Sequence, residues 1–189
     1  IGILEAKKRG AEMVALFDQD SMLPNNFCKR MLQLINSYHD YKNTAVFSPI
    51  YLNKITNVYG SIIDFKPFQL IRTQPNEFLN VSYPKYVITS ASFIPIKVID
   101  KVGLMREELF IDFIDIEWCL RARSYGYSIV SFSKVEIEHY LGDSSVKFMG
   151  KNYPIHSPLR MYYNFRNSLY LYRLKEIDIN WRIIDATRN

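Results

Sequence analysis

The sequence predicts an α/β domain in which a mainly parallel sheet is covered by helices. Short apolar runs alternate along the chain with segments of helical periodicity, an alternation typical of parallel strands connected by helices. The 189 residues are enough for one domain with a substantial core. Apolar residues make up 48% of the chain and charged residues 23%, a balance that argues against disorder.

The first part of the chain supplies two predicted helices and two predicted strands. Segment 1–10 has apolar residues at helical spacing and ends at Gly10, a common signal after a helix. Residues 13–17 form a short apolar strand, and a second helix is predicted from Pro24 to position 35. Residues 45–50 are predicted to be a buried strand, whereas the polar stretch that follows, up to position 80, has no clear periodicity.

The second part continues the alternation and adds helices at the carboxyl end. From Ile116 the pattern is helical and Gly126 ends it, so that Asp115 occupies the predicted N-cap. The other predicted elements are strand 86–94, a short helix at 98–102, strands 128–132 and 135–139, and a helix rich in aromatic and basic residues at 157–175.

Charge, cysteines and hydropathy narrow the class of protein. A net charge of +5 is compatible with binding of nucleotide diphosphates or an anionic membrane and is also common in soluble domains. Cys28 and Cys119 lie in helical patterns without metal-binding spacing, and we expect both to be buried thiols of a reducing compartment. No apolar run approaches the roughly 18 residues needed to span a bilayer.

Two alternating carboxylates, Asp18 and Asp20, follow the first predicted strand. Because strand side chains alternate with a period of two, both carboxylates are expected on one side of the chain. Such a pair suits a hard divalent cation, Mg²⁺ or Mn²⁺, that also binds phosphate oxygens. The competing interpretation of so short a motif is an acidic turn that binds nothing.

Three further acids surround the start of the helix predicted at 116. They are Asp112, Asp115 and Glu117. A carboxylate at an N-cap accepts backbone N–H bonds and feels the positive end of the helix, which fixes its direction. One of the three is therefore expected to be a positioned general base. The alternative is that Asp115 only caps the helix and the other two acids are solvated.

Taken in order, these motifs resemble a known family. The chain resembles the family 2 glycosyltransferases of the GT-A fold in Asp18-x-Asp20, Thr89-Ser-Ala-Ser-Phe93, Val102-Gly103, Glu108-Leu-Phe-Ile-Asp112 and Asp115-Ile-Glu-Trp-Cys-Leu-Arg-Ala-Arg123. Within that family it is most similar to bacterial rhamnosyltransferases, which carry a comparable Asp-Ile-Glu-Trp-Cys-Leu-Arg segment and a later His-x-x-Gly, here His139 to Gly142. The resemblance extends from about Ile1 to about Arg173.

The resemblance implies a metal-dependent, inverting glycosyltransferase of bacterial surface polysaccharide synthesis. The donor would be a nucleotide sugar, with dTDP-rhamnose suggested by the similarity of the segment at 115–121, and the acceptor a glycan or a lipid-linked saccharide. Mn²⁺ or Mg²⁺ held by Asp18 and Asp20, with His139 as a third ligand, would stabilise the leaving diphosphate. Ser90 and Ser92 are expected to lie beside the donor.

The resemblance also suggests which acid is the base. Asp115 corresponds to the family's catalytic Asp, which usually follows a Glu. Ile114 stands in the place of that Glu, so Asp112 or Glu117 is a candidate to share the task.

The resemblance further implies a division of the chain. Residues 1–150 are predicted to be a GT-A catalytic domain and 151–189 a basic, aromatic helical segment that either lies on a membrane surface or packs on the domain. Family members normally begin with strands that hold the nucleotide base, so this chain is expected to be an N-terminally truncated fragment. Such a fragment is expected to bind UDP and dTDP similarly and poorly. The expected location is cytoplasmic or peripheral at the inner face of the membrane, without a nucleic-acid partner.

Two other functions stay open. An apolar strand before Asp18-x-Asp20 also suits a haloacid-dehalogenase-like phosphatase, although Gly142-Asp143 lacks the further Asp that usually follows in that fold. A non-catalytic glycan-binding domain would use the acids as caps. Binding of a sugar nucleotide that requires Mn²⁺ would separate the first function from both alternatives.

Overall fold

The computed structural model describes residues 1–75, 80–139, 145–148, 151–154 and 157–187, with only the backbone described at 145–148 and 151–154. The helices are α1 Gly2–Lys8, α2 Phe27–Ser37, α3 Ile96–Val102, α4 Ile114–Ser124, α5 Pro158–Leu171 and α6 Ile179–Ala186. The strands are β1 Met13–Leu16, β2 Ser21–Met22, β3 Thr44–Asn53, β4 Val58–Tyr59, β5 Ile62–Lys66, β6 Gln69–Thr73, β7 Val81–Ser82, β8 Ser92–Pro95, β9 Ser128–His139, β10 Ser145–Phe148 and β11 Lys151–Pro154.

The predicted α/β class is confirmed, and the central sheet is mixed. Its strands lie in the order β1-β8-β3-β9-β2, with β4 paired to β3 and β7 to β9. Within the described residues only β3 and β9 pair in parallel, so the mainly parallel pairing that was predicted is limited to the centre of the sheet. The reason is that β8 runs antiparallel to both of its neighbours, β1 and β3. Strands β1, β3 and β9 still run in one direction, and their carboxyl ends meet at one edge.

Both faces of the sheet are covered by apolar side chains from helices. On one face α2 contributes Phe27, Met31 and Ile35, at the helical spacing that the sequence shows. On the other face α3 and α4 pack against the sheet, with Trp118 of α4 in the centre of the cluster. A third cluster joins α5 and α6 to Leu109 and Leu120. The predicted boundary between 150 and 151 stays a prediction.

Several predicted elements have different limits in the structure. The strand predicted at 86–94 is confined to Ser92–Pro95, and the residues before it follow an irregular path. The strands predicted at 128–132 and 135–139 form one strand, because a register shift opposite Pro49 and Ile50 absorbs the break in alternation. The unassigned stretch after position 53 contains the hairpin β5–β6.

Two further expectations concern cysteines and membrane spans. Cys119 is buried as predicted, but the prediction for Cys28 was wrong, since this residue is exposed on the outer side of α2. Among the described residues, the helices are too short or too polar to cross a membrane. Gly142 and Asp143, on which the comparison with phosphatases and the His-x-x-Gly motif depend, lie outside the described residues.

Candidate active site

A possible metal site forms where β2 pairs with the end of β9. The antiparallel pairing sets Ser21 opposite His139, directly after the turn that contains Asp18 and Asp20. One ligand atom from each of Asp18, Asp20 and His139 lies within 4.8 Å of the others, and these three candidate ligands are here named the metal cluster. His139 is buried, and its Nδ1 is 3.4 Å from Asp20 Oδ1. Two carboxylates and an imidazole form a donor set that fits Mn²⁺ or Mg²⁺.

Two serines support the turn that carries these acids. The Ser21 hydroxyl lies 3.0 Å from His139 Nδ1 and shares a hydrogen bond with the hydroxyl of Ser90. The backbone N–H of Asp18 donates to Ser90 Oγ at 3.5 Å. Ser90 is buried and contacts both Asp18 and Ser21 in the turn that carries the two acids. Ser92 is also buried, but its hydroxyl donates to the carbonyl of Ile88 at 2.7 Å and is thus bonded within the protein.

The acidity of the Asp18 carboxyl group is altered by its surroundings. Partial burial raises the pKa of Asp18 above its ordinary value. The charge of His139 acts in the opposite direction, and the neighbouring Asp20 adds a smaller upward effect on that pKa. A bound cation would remove this repulsion between carboxylates, because opposite charge favours their ionised form.

Asp115 lies in the first turn of α4, not at its N-cap. The helix begins at Ile114, and Phe113 precedes it in the left-handed conformation with φ of 64°. The prediction of Asp115 as the cap was therefore wrong by two positions. Its Oδ1 accepts a hydrogen bond from the backbone N–H of Ile116 at 2.8 Å.

Burial raises the pKa of Asp115 to about 6. The carboxylates of Asp18 and Asp112 add to this rise, while hydrogen bonds from backbone N–H groups oppose it. A carboxyl group with a pKa near 6 is mostly ionised at neutral pH and is more basic than an ordinary aspartate. These are the properties required of a general base.

A cleft of about 540 Å³ connects the two groups of acids. Asp18 lines it together with Asp112 and Asp115, and α5 contributes Arg160 and Asn164 to its lining. Asp18 of the metal cluster and Asp115, the candidate base, thus line the same cavity.

The other two candidate acids are paired with arginines. Asp112 accepts hydrogen bonds from Arg160, whose Nη2 is 3.0 Å from Asp112 Oδ1 and whose Nε is 3.2 Å from both carboxylate oxygens. Glu117 is fully buried and accepts from Arg106 Nε at 2.9 Å and Arg121 Nε at 2.8 Å. Asp112 therefore lies in the cleft beside the guanidinium of Arg160, whereas Glu117 does not line the cleft.

The loop before α4 has an unusual backbone. Phe110, Asp112 and Phe113 all have positive φ, between 60° and 64°. The left-handed conformation costs a non-glycine residue about 1–2 kcal/mol, so contacts from the surrounding structure must hold this loop.

A second cavity of about 260 Å³ is lined by Tyr51, Arg72 and Tyr86, among others. The ring of Tyr51 packs edge-on against His139 with 6.0 Å between ring centres. Burial, and then the charge of Asp115, raises the pKa of Tyr51. Tyr51 thus contacts both this cavity and the imidazole of His139.

Sequence reasoning did not identify several residues of the site. Ser21 directly follows the second aspartate, and this position was the only feature of the sequence that could have indicated its place in the site. Arg160 and Asn164 are four residues apart on α5, a spacing that puts both on one face, but this helix had been considered only as a membrane or packing surface.

Comparisons with known proteins agree with this architecture. The chain is 35% identical over 180 residues to dTDP-rhamnosyl transferase RfbF of Shigella flexneri, a match that covers 95% of this chain and 60% of the relative. The chain thus spans about three fifths of the length of the curated relative that it matches. No family model matches the chain.

Among solved structures, that of GalNAc-T7 with UDP, GalNAc and Mn²⁺ is similar with a TM-score of 0.51 and 13% sequence identity. The alignment covers 98% of this chain and 40% of GalNAc-T7, which is a GT-A glycosyltransferase. The structure of A197 from STIV gives a TM-score of 0.45 at 12% identity and covers 82% of this chain and 71% of A197.

Proposed function

The resemblance of this chain to the bacterial rhamnosyltransferases of the GT-A fold is confirmed, and on that premise we propose that it is the catalytic part of an inverting, metal-dependent glycosyltransferase. It transfers rhamnose from dTDP-rhamnose to a glycan or lipid-linked saccharide in surface polysaccharide synthesis. The observation that carries this proposal is the position of Asp18, which belongs both to the metal cluster and to the cleft that contains Asp115.

The donor diphosphate is assigned to the acidic turn. Asp18, Asp20 and His139 would hold Mn²⁺ or Mg²⁺, and such an ion supplies Lewis-acid stabilisation of a leaving diphosphate. Ser90 keeps the turn in place through its hydrogen bonds with Asp18 and Ser21. Ser92 is assigned to the support of the donor site only, because its hydroxyl is engaged with Ile88.

Asp115 is assigned as the general base. It takes the proton from the acceptor hydroxyl, the oxygen of which forms a bond to the anomeric carbon as the bond from that carbon to the diphosphate breaks. Attack from the face opposite the leaving group inverts the configuration. Asp112 is less suited to this role because Arg160 pairs with it, and Glu117 because it is buried between two arginines.

A membrane contact is assigned to the outer face of α5. Leu159, Tyr162, Phe165 and Leu169 are exposed at helical spacing, and Met161 lies beside them. An apolar helix face of this kind suits the membrane interface, where a lipid-linked acceptor would be located. Arg160 and Arg166 of α5, which had suggested a basic surface, are not part of this apolar face. Both bond to the loop before α4.

The test uses the full-length protein and two substitutions with opposite signatures. Asp115→Asn is expected to lower kcat for rhamnosyl transfer by about 10²–10⁴-fold and to preserve donor affinity, because a base acts mainly in the transition state. Asp20→Ala is expected to weaken the binding of dTDP and Mn²⁺ together, measured by calorimetry. Asp100→Asn, a surface carboxylate next to Lys7, is the control and should change neither.

Three outcomes would contradict parts of the proposal. Equal loss of donor affinity in Asp115→Asn would place Asp115 at the diphosphate. An unchanged Mn²⁺ titration in Asp20→Ala would remove the metal assignment. Use of UDP-hexoses and not of dTDP-rhamnose by the wild-type protein would overturn the choice of donor.

A further inference from the structure

The loop at 107–113, here named the base loop, connects a buried anchor to the helix that carries Asp115. Leu109 is fully buried in the cluster below the loop. Asp112 faces the cleft, and Phe113 leads directly into α4. Because three of the residues in the loop have positive φ, its conformation depends on contacts with the rest of the protein.

Asn167 of α5 supplies the most concentrated of these contacts. Its side chain is fully buried, and Nδ2 donates to the carbonyl oxygens of Leu109 at 2.9 Å, Ile111 at 2.7 Å and Asp112 at 3.1 Å. The two N–H hydrogens of one amide group are thereby shared among three backbone acceptors of one strained loop. Without it, these carbonyls would lack that partner, which is costly for buried polar groups.

The orientation of the Asn167 amide is determined by its neighbours. Oδ1 accepts hydrogen bonds from Arg166, with Nη2 at 2.6 Å and Nε at 3.0 Å. The guanidinium of Arg166 can only donate, and the three loop carbonyls can only accept, so the oxygen must face the arginine and the nitrogen the loop. Arg166 itself donates to the carbonyls of Glu108 and Leu109.

We propose that Asn167 is a positioning residue for glycosyl transfer, which holds the base loop in the conformation that sets Asp112 and Asp115 in the cleft. This inference rests on the function proposed above. Asn167 does not itself line the cleft, but it bonds to Ile111 and Asp112, which do, so it acts through the loop. A displacement of about 1 Å at a reacting group is enough to lower a rate by about 10²-fold.

The test compares two adjacent buried positions of α5 in the full-length protein. Asn167→Ala removes the contacts with the loop. Ser168→Ala is the matched control, because Ser168 is equally buried but bonds to Tyr172 and Asp185 instead of the loop. Asn167→Asp is a second variant, used in case the alanine variant fails to fold. It preserves the volume of the side chain and removes the N–H donors.

Three experiments are made: steady-state kinetics for kcat and KM with dTDP-rhamnose, the affinity for dTDP with Mn²⁺, and amide hydrogen exchange at 107–113. For Asn167→Ala we expect kcat to fall about 100-fold, donor affinity to stay within about twofold, and exchange in the base loop to be at least about tenfold faster. Ser168→Ala should leave kcat and loop exchange unchanged.

Unchanged kcat and loop exchange in both Asn167 variants would overturn the inference. Equal effects in Ser168→Ala would also overturn it, because they would indicate general weakening of α5. If the wild-type protein transfers no sugar while exchange in the base loop accelerates only in the Asn167 variants, the structural role of Asn167 is supported and the proposed function fails.

Discussion

Asp115 is expected to lower the stability of the protein at neutral pH, so that Asp115→Asn should be more stable than the wild type. Burial raises the pKa of Asp115 from an ordinary value of 3.8 to about 6. The native state therefore binds the proton more tightly than the unfolded state does. Stability consequently falls as pH rises through this interval, because the folded protein must give up a proton that it retains better.

The size of the effect follows from the difference between the two pKa values. About two pH units correspond to about 3 kcal/mol, and the partial solvent exposure of Asp115 places the expected gain at about 2–3 kcal/mol. Asparagine has nearly the same shape, and its oxygen can still accept the hydrogen bond from Ile116 N–H. The substitution thus removes the buried charge and retains the local packing.

The assay is urea unfolding in EDTA at pH 7, 5.5 and 3.5, with the free energy of unfolding compared between wild type and Asp115→Asn. The difference should be greatest at pH 7 and close to zero at pH 3.5, where Asp115 is protonated in the folded state and mostly protonated in the unfolded state. Asp100→Asn controls for loss of a surface carboxylate and should change stability by only a few tenths of a kcal/mol.

Two results would refute the reasoning. A variant no more stable than the wild type at pH 7 would show that Asp115 is not held in an unfavourable charged state. A gain that does not depend on pH would mean that packing and not charge is responsible. Either result would also weaken the case for Asp115 as the base, because the elevated pKa is part of that case.

Three other perturbations have distinct expected outcomes. Glu117→Gln should cost about 3 kcal/mol in urea unfolding, since it leaves Arg121 buried without its counter-charge; a loss under 1 kcal/mol would contradict this. His139→Ala should weaken Mn²⁺ binding at least about tenfold by calorimetry, whereas exposed His39→Ala should have no effect. Arg160→Gln should change stability by less than about 1 kcal/mol, because the pair is partly exposed. It should lower kcat/KM for transfer at least about tenfold, and an unchanged kcat/KM would exclude a role for Arg160 in the cleft.

The local features of the fold were accessible from sequence because they depend on neighbouring residues. An apolar run followed by Asp18 and Asp20 gave the strand β1, although the two acids lie in the turn after it and not within the strand. The apolar spacing of α2 and the glycine after α4, Gly126 with φ of 88°, correspond to helices whose limits lie within three positions of the predicted ones. The order of the motifs was sufficient for the resemblance that the comparisons confirm.

The start of α4 shows where local reasoning ended. Asp115 was expected to cap the helix, because aspartate is a favoured N-cap. The structure begins the helix at Ile114, after a left-handed Phe113 that no propensity would predict. Contacts from α5, more than 50 residues further along the chain, hold the backbone there, and such contacts leave no periodic signal in the loop itself.

By itself, the sequence determined which acids are available and on which elements they lie: Asp18 and Asp20 after a strand, and Asp112, Asp115 and Glu117 around one helix. The tertiary structure alone decided their environments. Pairing of β2 with β9 brings His139 to the acidic turn from 118 residues away in the chain. Glu117 is buried between two arginines and has a structural role. Asp115 lies only two residues before it, and it lines the cleft and has a raised pKa. The physical reason is that charge, burial and ligand distance depend on partners distant in the chain, about which local periodicity carries no information.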